Sequence, residues 1–233
     1  MNESPSNQSV SAKRGATHQQ RFHAFLSDAN FPCVAAKSAL NKQRMTLVDY
    51  VSIRDESVVA DLCGRLEAFS DAFPQPGNLP VSLVAMFGDR LHDEVAFEGA
   101  MWALLQAMHE HDRLAFSWDP SVGNDPSQSD FSFSIGGRAF FVVGLHPAAS
   151  RVSRRAPFPC VVFNFHDQFE SLKASGKYDS MQAAIRSRDL QLQGSINPVL
   201  SRFGEESEAR QYAGRAVGTQ WHCPFHAEEP EHV

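Results

Sequence analysis

The chain has no long hydrophobic run. Its apolar stretches, such as Val81 to Phe87 and Ala139 to Leu145, fall far short of the roughly 20 residues that span a bilayer. Met1 to Gln20 carries no apolar block, so a secretory signal is not expected. There is no excess of basic charge either. Lys and Arg number 21 against 27 Asp and Glu, the formal net charge is -6 and the pI is near 5.9, which argues against a nucleic-acid-binding protein. Cysteine is sparse: Cys33, Cys63, Cys160 and Cys223 are scattered with no C-x-x-C pair, as suits thiols in a reducing compartment. No Gly-rich phosphate loop occurs, and no G-x-S-x-G nucleophile elbow. These absences together lead us to expect a cytoplasmic protein with neither a membrane nor a nucleic acid as partner.

What is present is enough for one core. The chain has 233 residues, 42% hydrophobic and 21% charged, a size that buries a single large domain. Residues 1–18 are rich in Ser, Asn and Gln and are expected to be a disordered tail. Residues 19–226 form the domain, and 227–233 an acidic C-terminal tail. Phe22, Phe25 and Leu26 share one face of a short helix that stops before Pro32. Helical spacing returns over Glu56 to Phe69 and over Asp93 to His111. Val81 to Phe87 reads as a buried strand, Leu114 to Trp118 as another, and Asp119 to Ser129 as a loop. Phe131 to Ile135 and Arg138 to Leu145, split by Gly136-Gly137, read as a tight hairpin. Cys160 to Phe165 is a further strand, His166 to Ala174 and Ser180 to Leu192 are helices, and Gly194 to Pro198 is a loop. The fold class expected is α+β, a mostly antiparallel sheet with helices packed around it.

The densest chemistry follows the hairpin, in His146-Pro147-Ala-Ala-Ser150-Arg151-Val-Ser-Arg154-Arg155. A strand delivers His146 to its end, and Pro147 then fixes the turn. Three arginines follow at once, and their forks match carboxylates and phosphates. One histidine beside arginines suits a metal-centred cofactor bearing carboxylates, such as haem, and equally a phosphorylated ligand. A loop histidine with a solvated basic turn would look the same. His166 closes the next apolar run and occupies a similar junction, so the two histidines are candidates to face one cavity; the alternative is a helix cap beside core phenylalanines. Glu206 and Arg210, four apart, read as an ordinary solvated helix. Trp221-His-Cys223-Pro-Phe225 holds too few ligands for a structural zinc.

Taken in order, several segments resemble the YqcI/YcgG family. They are Phe31-Pro32-Cys33, His146 to Arg155, Phe163-Asn-Phe-His166-Asp-Gln-Phe-Glu170, Ile185-Arg-Ser-Arg188-Asp189, Gly194-Ser-Ile-Asn197-Pro198, Phe203-Gly204 through Arg215, and Trp221 to Phe225. The one departure is Phe165, where the pattern has a proline. Characterised members resemble haem-dependent N-oxygenases of the guanitoxin-biosynthesis type. The resemblance therefore implies haem b, dioxygen, an external electron donor and a small guanidine, amine or aminoimidazole substrate, and it leaves room for a homodimer. Within it, His146 is the expected axial iron ligand, with Cys223 and Cys33 as thiolate rivals. Arg151, Arg154 and Arg155 would hold the propionates, and His166 would be a distal donor to bound oxygen or a propionate partner. Glu205, Glu206 and Glu208 are the carboxylates available to a cationic substrate. A non-enzymatic haem carrier or sensor would use the same histidine and arginines.

Overall fold

A computed structural model describes residues 16–77, 79–198 and 204–228. The chain folds as α1 (His18–Ser27), α2 (Val34–Asn41), β1 (Met45–Tyr50), α3 (Ser57–Ala72), β2 (Ser82–Phe87), α4 (Glu94–Asp112), β3 (Phe133–Ile135), β4 (Arg138–Leu145), β5 (Cys160–Phe165), α5 (His166–Ala174), α6 (Tyr178–Gln193) and the short α7 (Ala209–Tyr212). A 3₁₀ turn, Val152–Arg154, lies between β4 and β5. The five strands form one sheet in the order β1-β2-β5-β4-β3. Only β1 and β2 are parallel, joined through α3; the other three pairings are antiparallel. The architecture is α+β in a single domain, as the sequence led us to expect.

Alternation along the strands divides the core into two layers. Phe140 and Val142 of β4, with Val161, Phe163 and Phe165 of β5, pack against α3 and α4 through Leu62, Leu66, Phe97 and Met101. Val143 and Leu145, with Cys160 and Val162, face α1 and α2 through Phe22, Leu26 and Phe31. The β3–β4 hairpin turns on Gly136 and Gly137, both at positive φ (62° and 70°), the signature of a twist-matched two-residue turn.

Four details differ from the sequence expectation. Thr17 and Gln20 form a capping box that starts α1 at His18, so the ordered chain begins before residue 19; residues 1–15 of the expected tail lie outside the described residues. At the other end the Glu228 amide donates to His109 Nε2 at 3.0 Å, so the start of the expected acidic tail is packed, and 229–233 lie outside the described residues. Leu114 to Trp118 is not a strand. The amides of Ala115 and Phe116 both return to the Asp112 carbonyl at 2.9 Å, and the chain turns instead of extending. α7 is not a solvated helix: Ala209, Gln211 and Tyr212 are buried, while Glu206 is exposed and outside the helix.

Candidate functional site

His146 continues the β4 row that faces α4. The next residue up that row, Gly144, has no side chain because the Phe97 ring fills the space: a Cβ there would lie 2.6 Å from a ring carbon and 3.0 Å from the Met101 sulfur. Phe97 thereby reaches past the strand and stacks on the imidazole, with ring centroids 4.7 Å apart and planes 20° off parallel. The His146 backbone is fixed by an amide bond to the Arg154 carbonyl at 3.0 Å. Glu94, at the start of α4, accepts from both the Ser150 amide (2.7 Å) and hydroxyl (2.8 Å), tethering the turn that follows. The ring is 1% exposed, and neither of its nitrogens has a hydrogen-bond partner among the described residues. Burial pushes its pKa down, against the opposing pull of the Glu94 and Asp93 charges. The result is a neutral, rigid imidazole with a free lone pair, a rare state for a buried polar group.

His166 lies elsewhere. Because β4 and β5 are antiparallel, with Leu145 opposite Cys160 and Phe140 opposite Phe165, His146 leaves one end of the sheet and His166 the other. Seven strand positions separate them, about 24 Å at roughly 3.4 Å per residue. The two histidines do not face one cavity, and His166 is too far to act as distal donor or propionate partner to a haem held by His146. Instead His166 Nδ1 lies 3.3 Å from Glu208. The other Glu208 oxygen accepts from Ser132 Oγ (2.9 Å) and lies 3.1 Å from the Tyr212 hydroxyl. That hydroxyl also accepts from the Phe133 amide at 3.1 Å. Glu208 is 2% exposed, and burial raises its pKa against these hydrogen bonds. Of the three candidate carboxylates, Glu205 and Glu206 are on the surface and Glu208 is inside. Tyr212 was missed by sequence reasoning; its four-residue spacing from Glu208 was the available signal.

The arginines also part company. Arg151 is 6% exposed and ion-pairs with Asp189, itself 3% exposed, while donating to the Ser195 hydroxyl (2.9 Å) and carbonyl (2.7 Å). Arg154 donates to the carbonyls of Gly144 (3.0 Å), Gln211 (3.3 Å) and Tyr212 (3.4 Å), and burial lowers its pKa to about 10. β3 covers only the first part of β4; Arg154 satisfies the Gly144 carbonyl on the edge that β3 leaves open, while the Tyr212 hydroxyl bridges the last β3 pair, between the Phe133 amide and the Phe140 carbonyl. Arg151 is thus spent on Asp189, while Arg154 has no carboxylate partner among the described residues and is turned inward onto its three carbonyls. Arg155 differs. It is exposed, is held by the carbonyls of Ala149 (2.6 Å) and Ser150 (3.2 Å), and opens on a cleft.

The cysteine rivals are protonated in this arrangement. Cys33 Sγ accepts the Ala36 amide at 3.4 Å at the start of α2, yet burial pushes its thiol up; burial takes Cys223 to about 12. Among the described residues no cluster of three or more His, Cys, Asp or Glu is placed to hold a metal ion. Of the ligand candidates read from the sequence, His146 is the one whose side-chain donor atoms are buried without a partner among the described residues. No helix among the described residues is long and apolar enough to cross a membrane.

Comparison with known proteins agrees with the motif order. The chain is 23% identical over 209 residues to the uncharacterized protein YqcI of Bacillus subtilis (strain 168), covering 84% of this chain and 80% of that one. No solved structure matches it. The YqcI/YcgG family model matches residues 22–226, nearly the whole described chain, and the chain belongs to that family.

Proposed function

We propose that the chain is a haem-dependent N-oxygenase, taking dioxygen and electrons from an external donor to oxidise a nitrogen of a small guanidine, amine or aminoimidazole. The observation that carries this reading is the His146 imidazole: buried, neutral, unpartnered and clamped by Phe97. Polar groups so placed normally have partners, and a haem iron would supply one here. The residues fit haem at the iron, through His146. They fit it less well at the propionates: Arg151 is paired with Asp189, Arg154 is turned inward onto three carbonyls, and Arg155 opens on the other side of the sheet. When bound, haem supplies the iron at which dioxygen and electrons meet.

The chain's own residues then have defined tasks. His146 presents one nitrogen from a strand end whose backbone is pinned. Phe97 and Gly144 fix the plane of the ring, and the buried surroundings keep it neutral, the form that ligates. Glu94 and Asp93 bring negative charge near it. Glu208, with its oxygens engaged by Ser132, Tyr212 and His166, ties α7 to α5 and to the start of β3 and is not a free seat for a guanidinium.

The test is turnover. Protein loaded with haem, reduced and aerated with a panel of arginine-like guanidines, amines and aminoimidazoles should release an N-oxygenated product detectable by mass. His146→Ala should lose it. Haem uptake with no product from any substrate would establish a carrier or sensor; failure to take up haem would end the proposal.

A further inference from the structure

On the opposite side of the sheet from His146, a cleft of about 340 Å³ opens between the α1–α2 turn, the 3₁₀ turn and the end of α6. That volume is at the low end of small-molecule sites. Half of its lining is apolar, Phe25, Phe31, Val152 and Leu192, with Asn30 and Ser153 as neutral polar members; the two rings meet edge-on with centroids 4.9 Å apart. Arg155 lines the same cleft. Two backbone carbonyls aim its guanidinium, and among the described residues no carboxylate lies within ion-pair distance of it. Carbonyls satisfy hydrogens but leave the charge uncompensated, and a guanidinium beside an apolar wall is a receptor for an oxyanion carried on an apolar body. Asp28 stands on the rim, its carboxylate accepting the Asn30 amide at 2.8 Å.

We infer that this cleft is a second ligand site, for a small monoanionic carboxylate with an aromatic or branched apolar body, distinct from the His146 centre. The carboxylate pairs with Arg155 and the body lies against Phe25, Phe31 and Leu192. Asp28 penalises a second negative charge, so a dianion of similar shape binds less well. The tethers that frame the cleft come from separate segments: Gln193 at the end of α6 accepts the Val152 amide at 2.7 Å and donates to the Ser150 carbonyl at 3.2 Å. The inference does not depend on the haem reading.

Calorimetric titration of the full chain with phenylacetate, phenylacetamide and phenyl phosphate tests it. Phenylacetate should bind, the neutral amide about tenfold or more weaker, and the phosphate weaker than the carboxylate. Arg155→Gln should lose about tenfold or more with the fold intact by circular dichroism, and Leu192→Trp, which fills the cleft without touching Arg155, should block binding. His146→Ala should bind phenylacetate as the parent does. Equal affinity for acid and amide, unchanged binding in both cleft variants, or displacement of phenylacetate by haem would each overturn it, the last by assigning the cleft to the haem itself.

Discussion

Asp112 shows how one buried side chain sets a pH dependence. It sits at the C-terminus of α4, 6% exposed, accepting the Gly136 amide of the hairpin at 2.9 Å. Burial, aided by Glu67, raises its pKa from 3.8 to about 6 against that hydrogen bond. The raised value means that the folded state holds the proton more tightly than the unfolded chain. The associated stability is complete below pH 4 and is lost as pH rises through 6. Asp112→Asn keeps the acceptor and removes the charge. Denaturant melts should show the variant more stable than the parent at pH 8, by up to about 3 kcal/mol, with the difference vanishing near pH 4. Gly144→Ala is the opposite case. Its methyl meets Phe97 at 2.6 Å, so it should cost about 1–3 kcal/mol and loosen the ring that steadies His146. At this scale the sequence marked His146 because a strand end and a proline announce themselves locally. It did not show that Arg151 and Arg154 are turned inward, because their partners, Asp189 and the α7 carbonyls, lie 38 and 57–58 residues away.

At the scale of elements, the loop after β4 is secured by an ion pair instead of by apolar packing. Arg151 and Asp189 join the 3₁₀ turn to α6 with both charges buried. Removing one partner leaves the other charged and unpaired. Asp189→Ala should therefore cost about 3–5 kcal/mol, and Arg151→Met with Asp189→Leu should restore much of it; chemical denaturation of the single and double variants measures both. Elements with strong local signals were legible: α3, β2, α4, the Gly136-Gly137 hairpin, β5, α5 and α6 all lie within a few residues of the expected spans. β1 and α2 were not. β1 is an edge strand with a single buried residue, Val48, so its apolar alternation is weak, and α2 is eight residues hidden behind Pro32. Leu114 to Trp118 carries strand-like residues, but the turn after α4 leaves Leu114 79% exposed.

Across the whole molecule, the C-terminal segment closes the structure by returning along α4. Arg215 and Trp221 both bind Glu98, at 2.6 and 3.1 Å, the Gln106 side chain pairs with the His226 backbone, and Phe225 is fully buried among Trp102, Phe131 and Phe133. These contacts explain why Trp221 to Phe225 belongs to the pattern that resembles the family: the segment completes a core. The same distribution applies to the other motif segments, most of which resolve into tethers, as when Gln168 clasps the backbone of Val81 at 2.8 and 3.0 Å. Among the buried polar motif residues described, His146 is the exception, its ring nitrogens without a partner. The measurement that bears most directly on this account is the absorption spectrum of the full chain supplied with haem, beside His146→Ala and His166→Ala, with folding checked by circular dichroism. The account predicts a Soret band in the parent and in His166→Ala, whose ring is at the far end of the sheet, and its loss in a folded His146→Ala. A parent with no visible band in excess haem, or a His146→Ala variant that keeps the full band, would contradict it.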